Sequence, residues 1–79
     1  MPTIMKLFGL IFRIYTRDHL PQHVHVLSQE GEAIFQIHEN NVTLKDNKGL
    51  RNKDVNLALS ILEENRELIV NEWCKIHGQ

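Results

Sequence analysis

The apolar residues of this chain change their spacing once, and that change limits the folds open to it. Val24 and Val26, then Ala33, Phe35 and Ile37, recur at every second position. Such spacing describes strands with one buried face. From Asn52 onward, Val55, Ala58, Leu59, Leu62, Ile69, Trp73 and Ile76 follow steps of three, four or seven, which form one stripe on a helix. Residues 1 to about 45 are therefore expected to form the sheet and residues 52 to 77 the helix. The fold class is α+β: a small, mainly antiparallel sheet of four to five strands with one long C-terminal helix packed on one face. At 79 residues there is room for a single domain.

The strand boundaries follow from local chemistry. Ile4–Phe8 and Leu10–Thr16 are rich in β-branched and aromatic residues, with Gly9 between them. Either one bent strand or two short ones fits that stretch. Phe8 and Leu10 beside Gly9 are read as an exposed apolar edge. Ser28-Gln29-Glu30-Gly31 and Asn40-Asn41 read as turns, and Asp46-Asn47-Lys48-Gly49 as a strong one. Asn52 is the expected helix N-cap. The polar block from Glu63 to Glu67 thins the apolar stripe, so a bend or break there is the alternative to one continuous helix.

Three of the five histidines fall in the segment Asp18-His19-Leu20-Pro21-Gln22-His23-Val24-His25-Val26. If the valines point inward, His23 and His25 point outward with Ile34, Gln36 and, at the strand's end, His38. Burial of Phe12 and Ile14 would bring Arg13 and Tyr15 to that same outward face. Three readings fit. In the first, His23 and His25 hold zinc or another transition metal, with Asp18 or His19 as third ligand. In the second, His19, His23, His25 and Asp18 do acid–base work without a cofactor. Arg13 or Lys48 then stabilises negative charge and Tyr15 orients a group, as phosphodiester cleavage requires. In the third, the imidazoles are simply the polar face of a strand. Trp73 reads as core, and His77 has no assigned role.

Composition narrows the partners. Nine lysines and arginines against ten acidic residues leave no basic surplus of the kind that drives nonspecific nucleic-acid binding. The single cysteine, Cys74, excludes an internal disulfide and suits a reducing cytoplasm. No secretory signal or membrane-spanning run is apparent. A chain this short has a small core, which leaves self-association or a partner open.

The opening Pro2-Thr3-Ile4, the aspartate-histidine-proline-histidine-valine-histidine run with Gly31-Glu32-Ala33 after it, and Asn47-Lys48-Gly49-Leu50 leading to Trp73 together carry a resemblance. The chain resembles the bacterial family called domain of unknown function 4160. Gln22 stands where a second proline is expected, and Lys53 where proline commonly opens the helix. The resemblance implies the toxin of a type II toxin–antitoxin pair, and the histidine face, read as above, would let such a toxin act on RNA or another target. Its expected partner is a small cognate antitoxin of the domain of unknown function 2442 type. The alternative it leaves is a non-enzymatic binding or regulatory member of such a pair.

Overall fold

The computed structural model describes residues 3–15 and 19–77. Five strands follow one another along the chain: β1 (Thr3–Leu7), β2 (Leu10–Arg13), β3 (His23–Leu27), β4 (Glu32–Ile37) and β5 (Val42–Lys48). They form one sheet in sequence order, and each neighbouring pair is antiparallel. Helices α1 (Asn52–Glu64) and α2 (Arg66–His77) follow. The α+β expectation holds, with two helices in place of the single long one.

The period-2 pattern sets the core. Phe12 lies opposite Val26, and Val24 and Val26 lie opposite Phe35 and Ala33. All of these side chains are buried. They join Ala58, Ile61, Leu62, Ile69 and Trp73 from the helices in one cluster. Each large side chain removed from water contributes about 1.5–3 kcal/mol, so this shared face is the main stabilising feature.

The β1–β2 connection is a two-residue turn, not a bent strand. Phe8 and Gly9 both have positive φ, 53° and 78°, as the tight hairpin turn that suits strand twist requires. Leu10 is buried, so the expected exposed edge is reduced to Leu7 and Phe8, the latter 76% exposed. Both edge strands carry a register shift, one between Thr3 and Met5, the other on β5 opposite the Ile34–Phe35 step. Bulges of this kind discourage further strands from adding to an edge.

The expected turn at residues 46–49 is mostly strand, because β5 runs on to Lys48. Its signal is used one step later: the Asn47 side chain accepts from the Leu50 N–H and donates to the Leu50 carbonyl. Two glycines then let the β3–β4 turn cross the β5–α1 connection. A Cβ on Gly31 would fall on the Lys48 carbonyl oxygen and 2.9 Å from the Gly49 Cα. One on Gly49, whose φ is +105°, would lie 2.6 Å from the Glu30 carbonyl oxygen. Arg51 also bonds the Glu30 carboxylate at 2.9 Å across this crossing.

Arg51, not Asn52, is the N-cap of α1, and it makes no side-chain cap bond. The helical stripe is interrupted at Asn65 (φ −112°, ψ 23°). The Asn65 side-chain amide donates to the Ile61 carbonyl at 2.8 Å, so side-chain bonding competes with the helical ladder there. Backbone bonds from Asn65 to Ile61 and from Ile69 to Asn65 keep the two helices nearly continuous. Ile69 and Trp73 therefore stay on the buried side.

Urea denaturation should show Gly49→Ala losing about 1–3 kcal/mol, and Phe8→Asn gaining about 1 kcal/mol because asparagine tolerates the left-handed turn. Unchanged midpoints would remove both arguments. Hydrogen bonding and charge from Arg51 hold the Glu30 carboxyl below its usual range. A depressed carboxylate stabilises the fold above its unfolded value, about pH 4.3, and loses that contribution as pH falls through the folded value. Thermal melts should thus separate Arg51→Gln from the parent at pH 7 and bring the two together in strong acid.

Candidate functional site

The face of the sheet opposite the core carries the residues singled out by strand parity. On this face, cross-strand pairs place Ile11 opposite Leu27, Arg13 opposite His25, His25 opposite Ile34, and His23 opposite Gln36. All seven are half-buried.

The aromatic rings form a row. Tyr15 meets His25 edge-on with ring centroids 4.4 Å apart, and His25 meets His23 at 5.3 Å. The His23 ring lies 5.5 Å from Trp73 of α2, which stacks on His77 at 4.1 Å. Trp73 is almost fully buried, so the row begins beside β2 and ends in the helical layer. Parity could not show this last contact, because it depends on where α2 lies.

Hydrogen bonds define the imidazoles further. His23 Nδ1 lies 2.8 Å from the Pro21 carbonyl oxygen. A carbonyl only accepts, so the proton is on Nδ1 and the neutral ring carries its lone pair on Nε2. Pro21 itself follows a cis peptide bond. His25 Nδ1 lies 2.8 Å from a carboxylate oxygen of Glu32, with the His25 side chain 12% exposed and the Glu32 side chain 40%. Glu32 was missing from the candidate residues. It shares the parity of Ile34 and Gln36 and sits one diagonal step from His25, so the same alternation argument reaches it.

Arg13, Lys48 and His38 have contacts of their own. Arg13 lies across from His25, but its Nε donates to Thr3 Oγ1 at 3.3 Å, towards the sheet edge. Lys48 is 3.9 Å from Asp46 and largely exposed. His38 shares a 2.8 Å hydrogen bond with Thr43 on β5. His19 is exposed in the β2–β3 connection, and Asp18 lies outside the described residues. The candidate metal set of His23 and His25 with Asp18 thus includes a residue outside those described. Among the described residues no group of three histidine, cysteine, aspartate or glutamate side chains is arranged to hold a metal ion. No helix among them is long and apolar enough to cross a membrane.

A family model described as domain of unknown function (DUF4160) matches residues 9–74, from the hairpin turn to Cys74. The chain belongs to that family. Comparisons with curated proteins and with solved structures gave no significant match. In this member of the 4160 family the match covers β2 to β5, His23 and His25 of the row, and nearly all of the helical layer.

Among the described residues the Trp73 indole N–H and His77 Nε2 are buried without hydrogen-bond partners. Trp73→Ala should cost about 3–5 kcal/mol through lost packing. Trp73→Phe gives up less volume and also removes an unsatisfied donor whose burial costs about 1–3 kcal/mol. Chemical denaturation should accordingly place Trp73→Phe within about 1 kcal/mol of the parent. A loss as large as that of Trp73→Ala would mean that the indole nitrogen contributes.

Proposed function

We propose that this protein is the toxin component of a bacterial type II toxin–antitoxin pair, working in the cytoplasm and acting on RNA through its imidazole face. The observation that supports this reading best is the contact between His23 and His25, at 5.3 Å between centroids, beside Tyr15 and across from Arg13. Two imidazoles this close can address one phosphodiester. One accepts a proton as the other donates one, a division that contributes roughly 10²–10⁴-fold to such reactions. Arg13 supplies a permanent cation on the same face for the charge that develops on phosphate oxygens. The near-neutral composition argues for a target held by local contacts and not by bulk charge.

Cleavage would proceed by in-line attack within the RNA strand. One imidazole removes the ribose 2′-hydroxyl proton, and the 2′ oxygen bonds to phosphorus. The bond from phosphorus to the 5′ oxygen breaks, and the second imidazole, protonated, delivers its proton to that oxygen. The products are a 2′,3′-cyclic phosphate and a 5′-hydroxyl end. A small antitoxin, of the domain of unknown function 2442 type, would suppress this activity by covering the face.

A second reading has its own support. Ile11, Leu27 and Ile34 give the same face a half-buried apolar strip. A strip of that kind suits a non-enzymatic module that docks a protein partner.

Induced expression in a bacterial host separates the two readings. The parent chain should arrest growth and fragment RNA into pieces with cyclic-phosphate ends. His23→Ala with His25→Ala should abolish both effects at equal protein level. Growth arrest that persists in the double variant, with RNA intact, would favour the docking module.

A further inference from the structure

Two cross-strand rows span the imidazole face from β1 to β5, and their charges are sorted. One row is Thr3, Arg13, His25, Ile34 and Asp46; the next is Lys6, Ile11, Leu27, Glu32 and Lys48. Directly opposed residues share a face, so Lys6 stands on the imidazole side with Ile11. In both rows the β1–β2 half carries a cation and the β4–β5 half a carboxylate. Cation and carboxylate are three strands apart in each row, roughly 14 Å between backbones at about 4.8 Å per strand. That exceeds the screening length of about 8 Å at physiological salt. Lys48, at the far edge, lies 3.9 Å from Asp46, which offsets its charge.

We infer that Lys6 is a phosphate-binding residue of this face, and that single-stranded RNA lies along its β1–β2 half with neighbouring phosphates on Arg13 and Lys6. This deepens the reading of an RNA-acting face and rests on it. The Nε of Arg13 donates to Thr3 Oγ1 at 3.3 Å, which turns the guanidinium towards β1. Lys6 is exposed and sits one diagonal step from Arg13, with Cβ atoms roughly 7–8 Å apart or somewhat less. A guanidinium fits phosphate through a rigid fork of donors, while the lysine ammonium is a point charge on a flexible stem. Together they make a short cationic track of the kind that follows a single-stranded backbone. Such a track needs no basic surplus over the whole chain, whose net charge is −1. Glu32 and Asp46 repel the same backbone from the β4–β5 half.

A 2′-O-methyl oligoribonucleotide lacks the attacking hydroxyl, so it measures binding apart from cleavage. Lys6→Gln should weaken binding severalfold at low salt. It should also make the slope of log K against log salt shallower by about 0.7, as loss of one phosphate contact on a single strand requires. Lys6→Arg should restore the parent slope. Lys48→Gln removes the same charge from the same face and should leave the slope unchanged. On unmodified RNA, Lys6→Gln should raise KM with kcat unaltered, as loss of uniform binding does. A parent slope in Lys6→Gln, or an equal change in Lys48→Gln, would overturn the inference while leaving the cleavage reading intact. If the analogue binds with these shifts but unmodified RNA stays whole, the proposed reaction falls and the phosphate track stands. A parent chain that binds no analogue removes both and favours the protein-docking face.

Discussion

The pairing of β3 with β4 in one register governs everything built on the sheet. Val24 against Phe35 and Val26 against Ala33 place four apolar side chains on the helix side. A slip of one residue would turn them to solvent and drive His23 and His25 into the core. Burying an imidazole without partners costs several kcal/mol, and exposing the valines and phenylalanine forfeits about 1.5–3 kcal/mol for each. Both penalties act in the same direction, so the register is defined by both faces at once. The half-buried imidazole face is thus a by-product of the same alternation that makes the core.

The helical layer is located by a second constraint, the crossing at Gly31 and Gly49. Backbone there approaches too closely for a side chain on either residue. The Arg51–Glu30 bridge ties the start of α1 to the β3–β4 turn at the same place. From that anchor α1 lays Ala58, Ile61 and Leu62 on the sheet, and the interruption at Asn65 leaves the buried stripe intact. Trp73 then arrives beside His23. The last turns of the chain thereby touch the first residue of β3, linking the far end of the helical layer to the imidazole row.

Much of this was legible in the sequence, and the exceptions have physical causes. Alternation gave the sheet, the inward valines and the outward His23, His25, Arg13 and Tyr15, because strand parity is a local rule. The Phe8-Gly9 turn was ambiguous because phenylalanine is a poor residue for positive φ, and only the paired strands force it there. The helix break was visible as a thin stripe and stood only as the alternative to one continuous helix, since Asn65 interrupts by a side-chain bond and neither glycine nor proline marks it. Turn chemistry at Asp46–Gly49 was recognised and misplaced, because the Asn47 bonds belong to Leu50 and follow the strand. Glu32 was overlooked as the first residue after a turn. The contact of His23 with Trp73 lay beyond any parity argument, because it requires the placement of α2.

The relation of His25 to Glu32 bears on why this face is polar at all. Replacing a largely buried charged pair by well-packed apolar side chains of similar volume is often neutral or stabilising, and the His25 side chain is only 12% exposed. A leucine at position 25, flanked by Ile34 and close to Tyr15, would bury comparable area and contribute about 1.5–3 kcal/mol. Ile11, Leu27 and Ile34 show that the face accepts apolar side chains close by. Stability by itself would therefore favour extending that apolar strip across position 25. An imidazole held there by a directed carboxylate costs stability relative to the aliphatic choice, and what it adds is a nitrogen lone pair with a defined direction. Orientation of that kind serves proton transfer or directional binding, and packing has no use for it.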